Sequence, residues 1–249
     1  MDLELNGKVA LVTGSSRGIG KSIAAALASE GCRVIVNGRD ADVLDGVAAE
    51  LKAAAVAGDV STRAGADAVL EQAAAVHGHV DIVVCNVGSG ASVPPGQEDE
   101  AEWLRMLQIN LMSATNTVAA ARPHLRAQGG AILCISSICG SAALGAPVAY
   151  SAAKAALDSF VRGAARYLAP ENIRINALAP GNILFEGSTW ERKLAADADA
   201  VATMLKREVA MARLGTAEEV ASMAAFLCSA KASFATGAVF VLDGGQLRG

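Results

Sequence analysis

Val9-Ala10-Leu11-Val12-Thr13-Gly14-Ser15-Ser16-Arg17-Gly18-Ile19-Gly20 decides how the rest of this chain is read. An apolar run of strand character enters a turn with three glycines, and a helical pattern, Ile19–Ser29, follows at once. Glycines at such a turn allow a tight bend and let backbone N–H groups approach a pyrophosphate, while the helix N-terminus adds a favourable dipole. A glycine-rich turn alone is as often an ordinary strand-to-helix connection. Its place after the first strand of an alternating pattern gives it weight.

That alternation continues outward. Strand candidates are Val9–Thr13, Arg33–Asn37, Ala54–Ala57, Asp81–Cys85, Ala131–Ser136, Ile173–Ala177 and Ala238–Leu242. Helical patterns lie between them at Ile19–Ser29, Ala41–Lys52, Ala64–Val76, Glu98–Arg126, Ala152–Leu168 and Glu218–Ser229. The succession predicts an α/β chain, a doubly wound Rossmann-type domain with a parallel sheet of about seven strands and helices on both faces. The strands read as continuous apolar runs, as expected when both faces are covered. Residues 1–249 contain no Pro/Ser linker and no short repeat, so they are read as one dinucleotide-binding and catalytic domain. Glu186–Ala210 is a helical stretch outside the pattern. Residues 183–210 are therefore expected to form a substrate lid above the strand C-termini.

Composition narrows the function classes. The chain is 53% hydrophobic and 18% charged, enough to bury a large core and too apolar for disorder. A net charge of −4 argues against nucleic acid as a partner, because phosphate binding needs a basic face. Met1-Asp2-Leu3-Glu4 lacks the layout of a signal peptide, and no apolar stretch of membrane-spanning length runs without a breaker. The five cysteines are scattered and odd in number, which suits free thiols in a reducing cytoplasm. Three histidines without ligand spacing give no support for a metal site.

The second strand should choose the cofactor. An acidic residue at its end would bind a ribose 2′-hydroxyl and repel a 2′-phosphate. The sequence there is Val36-Asn37-Gly38-Arg39-Asp40. Gly38 carries no carboxylate, and Arg39 is a fork-shaped phosphate donor. Arg17, in the glycine-rich turn, can reach the same group. The reading favours NADP(H), with NAD(H) as the alternative if Asp40 is the acidic residue in a register shifted by two. Both arginines are also readable as solvated surface charges.

The chemical end centres on Tyr150 and Lys154, four residues apart and so on one helix face. A phenol with pKa about 10 is too weak an acid for neutral pH, and a neighbouring ammonium favours its phenolate. Such a pair can protonate an alkoxide or deprotonate an alcohol. Ser136-Ser137 ends the strand before it, where a hydroxyl can hydrogen-bond a substrate oxygen as charge develops. Asn110 lies in an apolar helical stretch and needs buried partners. It can bend the helix and hold a water that relays protons to Lys154. Taken singly, each of these has a purely structural reading.

Together these residues resemble the classical short-chain dehydrogenase/reductase family, over essentially the whole chain. Thr13–Gly20, with Gly14, Ser16, Arg17, Gly18, Ile19 and Gly20, looks like its cofactor turn. Asp59-Val60 resembles its adenine-contact pair, and Asn86-Val87-Gly88 the segment after the fourth strand. Asn110, Ser137, Tyr150 and Lys154 match its catalytic tetrad in order and spacing. Pro180-Gly181 resembles the turn beside the nicotinamide, and Asp243-Gly244-Gly245 the C-terminal signature. The resemblance implies Tyr150 as acid/base and Ser137 orienting the carbonyl. It implies Lys154 on the nicotinamide ribose, Asn110 on a relay water, and a homotetramer.

Two departures stand out. Phe185 stands near the place of a family threonine that binds the carboxamide, which shifts that contact toward Ile183. Reductases of acyl-carrier-protein substrates tend to carry arginines before the fifth and sixth strands. Here those places hold Gln128 and Glu171, with Arg126 and Arg174 nearby. The leading expectation is hydride transfer on a small carbonyl or secondary alcohol. Its pocket would be formed by Ser89–Pro95, Ile138–Ala146 and Phe185–Trp190. A 3-oxoacyl-thioester reductase and a catalytically idle cofactor sensor are the alternatives.

Overall fold

The computed structural model describes residues 1–125 and 129–248. Seven parallel strands form one sheet in the order β3-β2-β1-β4-β5-β6-β9. They are β1 (Val9–Val12), β2 (Arg33–Gly38), β3 (Ala54–Ala57), β4 (Ile82–Cys85), β5 (Gly130–Ile135), β6 (Ile173–Pro180) and β9 (Val239–Leu242). A separate two-stranded ladder pairs β7 (Ile183–Leu184) with β8 (Gly215–Thr216).

Successive residues of a strand point to opposite faces, and this sheet buries both. Val9 and Leu11 join one apolar cluster with α3 (Arg63–His77), α5 (Ser113–Leu125) and α6 (Val148–Leu168). Ala10 and Val12 join the other with α1 (Gly18–Ser29), α2 (Ala41–Leu51) and α9 (Ala217–Cys228). Each fully buried large side chain, such as Leu11, Ile35 or Leu133, contributes roughly 1.5–3 kcal/mol. The sheet order reverses between β1 and β4, so a crevice opens at the C-terminal ends of those strands.

All seven strand candidates and the six main helical patterns correspond to elements. Three differences have physical causes. The pattern Glu98–Arg126 is not one continuous α-helix. It runs as α4 (Glu100–Leu107), a π-turn over Gln108–Met112 and α5, and Arg126 lies outside the described residues. Helix α6 starts at Val148, earlier than the expected Ala152, because its first N–H groups are capped from a distance. The Glu98 carboxylate accepts from the Val148 N–H at 3.1 Å. The stretch Glu186–Ala210 is two helices, α7 (Thr189–Ala196) and α8 (Ala198–Glu208). Asp197 separates them and caps the second through the Ala200 N–H at 2.8 Å. Among the described residues no helix is long and apolar enough to cross a membrane. Nor does any group of three His, Cys, Asp or Glu among them have the geometry to hold a metal.

Helix α9 begins with a capping box: Thr216 Oγ1 accepts from the Glu219 N–H, and Glu219 accepts from the Thr216 N–H. Thr216→Ala is expected to cost about 1 kcal/mol. The thermal midpoint should fall by roughly 2–4 °C, with the site chemistry unaltered.

Candidate active site

The glycine-rich turn is fixed by its neighbours before any ligand is considered. Ser15 Oγ donates to the Val12 carbonyl at 2.7 Å and accepts from the Asn37 N–H at 3.0 Å, which ties the turn to the end of β2. Asn86 donates through Nδ2 to the carbonyls of Thr13 and Gly14 at 3.1 and 2.9 Å. A Cβ on Gly20 would lie 2.4 Å from both the Gly14 carbonyl and Asn86 Nδ2. Gly18 has φ +55°, in the left-handed region. The N-terminus of α1 receives no side-chain cap from Arg17, which leaves first-turn N–H groups without that partner.

Ser16, Arg39 and Asp59 lie about the end of β2, whereas an Arg17 guanidinium nitrogen lies 3.9 Å from where a Gly187 Cβ would stand. The Ser16 side chain lies 3.4 Å from where a Gly38 Cβ would stand. Arg17 and Arg39 are both exposed. Asp59 is held below the usual carboxylate range, mainly by the Ser61 backbone N–H, with a smaller contribution from Arg39. Gly38 is the last residue of β2, and Asp40 lies beyond it, capping α2 through the Val43 N–H at 3.2 Å. Asp40 thus stands two residues past the end of β2 as the N-cap of α2. Val60 is buried beside Asp59. At the other end, Pro180 closes β6 and Gly181 follows it. A Gly181 Cβ would lie 2.9 Å from Asp243 Cα, so the turn and the C-terminal Asp-Gly-Gly segment are in close contact. Ile183 is buried in β7, against the start of α9.

The four tetrad residues come together at the ends of β4 and β5. Tyr150 lies in the first turn of α6, where Ser137 favours the charged form of its hydroxyl. The Lys154 ammonium donates to the Ile135 carbonyl at 2.8 Å and lies 5.9 Å from the centre of the Tyr150 ring. Asn110 is fully buried in the π-turn. Its Oδ1 accepts from the Ser89 N–H at 2.9 Å, and its Nδ2 donates to the carbonyls of Ser89 and Met106 at 3.0 and 3.1 Å. These contacts dock the loop after β4 onto the helix. A Cβ on Gly88 would lie 2.9 Å from Asn110 Oδ1 and 3.2 Å from Lys154 Nζ, so both reach the same side of that loop.

Electrostatics here differ from the sequence expectation. Burial pushes the Tyr150 phenol up to about 12, with Ser137 opposing, rather than a lysine pulling it down. Lys154 is itself buried, and burial draws it down to about 8, against Cys134 and Asp158. Loss of hydration outweighs charge proximity at the phenol.

Of the loops expected to line a pocket, 89–95 approaches Tyr150 and 185–190 approaches the glycine-rich turn. A Gly90 Cβ would stand 3.9 Å from the Tyr150 ring, and Ser92 Oγ ties its loop to Glu102 at 2.5 Å. Phe185 lies against the cofactor turn, its ring 2.7 Å from where a Gly18 Cβ would stand. Ser188 caps α7 through the Glu191 N–H at 3.0 Å. Sequence reading placed Ser89 in a pocket loop without its main-chain contacts to Asn110, and passed over Asp158, a buried carboxylate one helical turn beyond Lys154. The four-residue step from Lys154 was the available signal for Asp158.

Residues 14–246 match a family model described as enoyl-(acyl carrier protein) reductase. The chain belongs to the short-chain dehydrogenase/reductase family. This short-chain oxidoreductase is 38% identical over 245 residues to cis-4-hydroxycyclohexanecarboxylate dehydrogenase of Sinomonas cyclohexanicum, covering 96% of each chain. It is 33% identical over 253 residues to a 3-oxoacyl-[acyl-carrier-protein] reductase of Aquifex aeolicus, covering 99% of this chain and 100% of that one. Among solved structures it is similar to L-sorbose reductase of Gluconobacter frateurii complexed with NADPH and L-sorbose. That likeness has a TM-score of 0.94 and 33% identity over the full length of both chains.

Proposed function

We propose that this protein is an NADP(H)-dependent oxidoreductase acting on a carbonyl/secondary-alcohol pair, with Tyr150 as its acid/base. The observation that carries the reading is the gathering of Ser137, Tyr150 and the buried Lys154 ammonium, which lies 5.9 Å from the centre of the Tyr150 ring. Ser137 is positioned to hold the substrate oxygen, and the Tyr150 hydroxyl to exchange a proton with it. Lys154 places a positive charge next to that oxygen, and Asn110 fixes the loop facing both. The relay water at Asn110 remains part of the proposal.

A dinucleotide suits the turn residues, because a side chain at Gly20 would fill their cradle and the first-turn N–H groups of α1 receive no side-chain cap from Arg17. Bound there, NADP(H) would supply the hydride donor or acceptor. Gly14, Ser16, Gly18, Ile19 and Gly20 would hold its phosphates, Asp59 and Val60 its adenine. Asn86, Gly88, Lys154, Pro180, Gly181 and Ile183 would hold the nicotinamide half. Arg17 and Arg39 would take the 2′-phosphate, a choice favoured by the engagement of Asp40 with α2 and by the NADPH of the sorbose reductase complex. Arg39→Ala is expected to weaken NADPH binding roughly 10–100-fold, the value of a charged hydrogen bond. NADH binding should be unchanged, and fluorescence titration of both cofactors checks it. Equal weakening of the two would take Arg39 out of the phosphate site.

Residues 183–210 act as the lid in this reading. A small, partly polar substrate, a keto-sugar or cyclic secondary alcohol, suits the hydroxyl-bearing loops and the two dehydrogenase likenesses. An acidic acyl carrier is disfavoured on this surface. Arg174 donates to the carbonyls of Leu227, Ser229 and Ala235, and Glu171 is paired with Arg122. Gln128 and Arg126 lie outside the described residues. Assembly as a homotetramer in the cytoplasm belongs to the same proposal. The exposed Ala152, Ala155 and Ser159 on α6 suit close helix packing. The test is oxidation of NADPH and NADH with a panel of ketones, keto-sugars and acyl thioesters. NADPH turnover on a ketone or keto-sugar is expected, and turnover confined to acyl thioesters would replace the substrate reading.

A further inference from the structure

Three consecutive residues at the end of β5 each engage a different turn of α6. Ser137 acts on the Tyr150 phenol, the Ile135 carbonyl accepts from Lys154, and Ser136 Oγ donates to Asp158 Oδ1 at 2.5 Å. Tyr150, Lys154 and Asp158 are spaced by four residues and share one helix face. Tyr150 and Lys154 have tasks in the proposed reaction, and Asp158 has none, although it is only 2% exposed. A carboxylate so deeply buried is costly unless charges and donors compensate it.

We propose that Asp158 is a positioning residue for the Tyr150–Lys154 pair: held by Ser136, its carboxylate is the buried counter-charge that keeps Lys154 an ammonium. The proposal rests on the reading of Tyr150 and Lys154 given above. Lys154 is 3% exposed, and among the described residues its ammonium has one hydrogen-bond acceptor, a neutral carbonyl. Such an ammonium tends to lose its proton, and with it the charge beside the reacting oxygen.

The groups around the pair are few. Lys154 faces Cys134 from β5, Asn110 from the π-turn across Gly88, and Tyr150 and Asp158 along its own helix. Asp158 faces Ser136 from β5, with Arg162 and Lys154 on α6. Burial raises the Asp158 carboxyl, and Ser136, Arg162 and Lys154 oppose that rise in this order. Asp158 and Cys134 act in the same sense on Lys154, against its burial.

Two variants separate charge from shape. Asp158→Asn keeps the volume and an acceptor for Ser136 but removes the charge. Ser136→Ala keeps the charge and removes the hydroxyl that holds it. The measurement is a carbon-13 NMR titration of the lysine side chains in the full chain, with the Lys154 signal assigned by its loss in Lys154→Arg. In Asp158→Asn the Lys154 midpoint should fall by about one pH unit, a tenfold rise in its acid constant. Ser136→Ala should lower it by less, in the same direction. A folded Asp158→Asn protein with the wild-type midpoint would overturn the proposal, since a purely structural Asp158 would lower the melting temperature and leave the titration in place. If Asp158→Asn does not fold, Ser136→Ala decides on the same readout, and an unmoved midpoint overturns the idea. No substrate is needed, so a shifted midpoint without turnover on any substrate would fault the functional reading and leave this one standing.

Discussion

Tyr150→Phe is expected to reduce turnover by roughly 10²–10⁴-fold, the usual range for removing a positioned acid/base, while cofactor affinity stays within about twofold. The phenyl ring fills the same half-buried space, and only the hydroxyl on which Ser137 acts is lost. Burial raises this phenol to about 12, so it stays protonated through the neutral range. Reduction, which draws on that proton, should persist across neutral pH. Oxidation, which needs the phenolate, should climb with pH and level off as Lys154, drawn down to about 8 by burial, loses its charge. Initial rates in both directions across pH, with wild type and variant, check the claim. A variant keeping a tenth or more of the wild-type rate would move the acid/base role elsewhere, and a variant indistinguishable from wild type would favour the idle sensor.

Gly20→Ala carries the second large effect. Its Cβ would lie 2.4 Å from a backbone carbonyl, that of Gly14, and equally close to Asn86 Nδ2. The carbonyl cannot swing aside as a flexible side chain could, so the turn must deform, at a cost of about 1–3 kcal/mol in stability. The α1 N–H groups would then move off the pyrophosphate position. NADPH affinity should fall by at least about 100-fold, equivalent to roughly 2.7 kcal/mol, as read by fluorescence titration. Gly46→Ala is the matched control. Nothing lies within 4 Å of a Cβ there, and the change inside α2 should stabilise by about 0.4–1 kcal/mol.

The sheet was legible because parallel strands covered on both faces must be apolar throughout, and Val9–Val12 or Ile82–Cys85 admit no other reading. The tetrad was legible as an ordered set, because Asn110, Ser137, Tyr150 and Lys154 keep their spacings across intervening helices. What escaped depends on contacts between segments distant in sequence. The start of α6 is capped by Glu98, some fifty positions away, so no local signal marks it. The π-turn follows from Asn110 reaching the backbone of Ser89, a contact made only once β4 and α4 have packed. The break at Asp197 was locally encoded, since Asp197 caps its own following turn, and Ala-rich flanks masked it. The protonation balance at Tyr150 was not legible either. Proximity to a lysine is written in the spacing, whereas the burial that outweighs it is a property of the assembled crevice.

Trp190, Leu194, Val201, Met204, Leu205, Val209 and Leu214 form an apolar cluster of their own, separate from the two that flank the sheet. Heredity can treat such a segment as interchangeable. Substitutions among these seven residues alter packing within that small cluster and leave the two clusters that flank the sheet as they were. On the proposed reading of this segment as a lid, a lineage can therefore try new substrates with little penalty to the scaffold that carries the chemistry. Diversification should concentrate there, while the β5–α6 seam, whose every rung touches Tyr150, Lys154 or Asp158, has almost no room to drift.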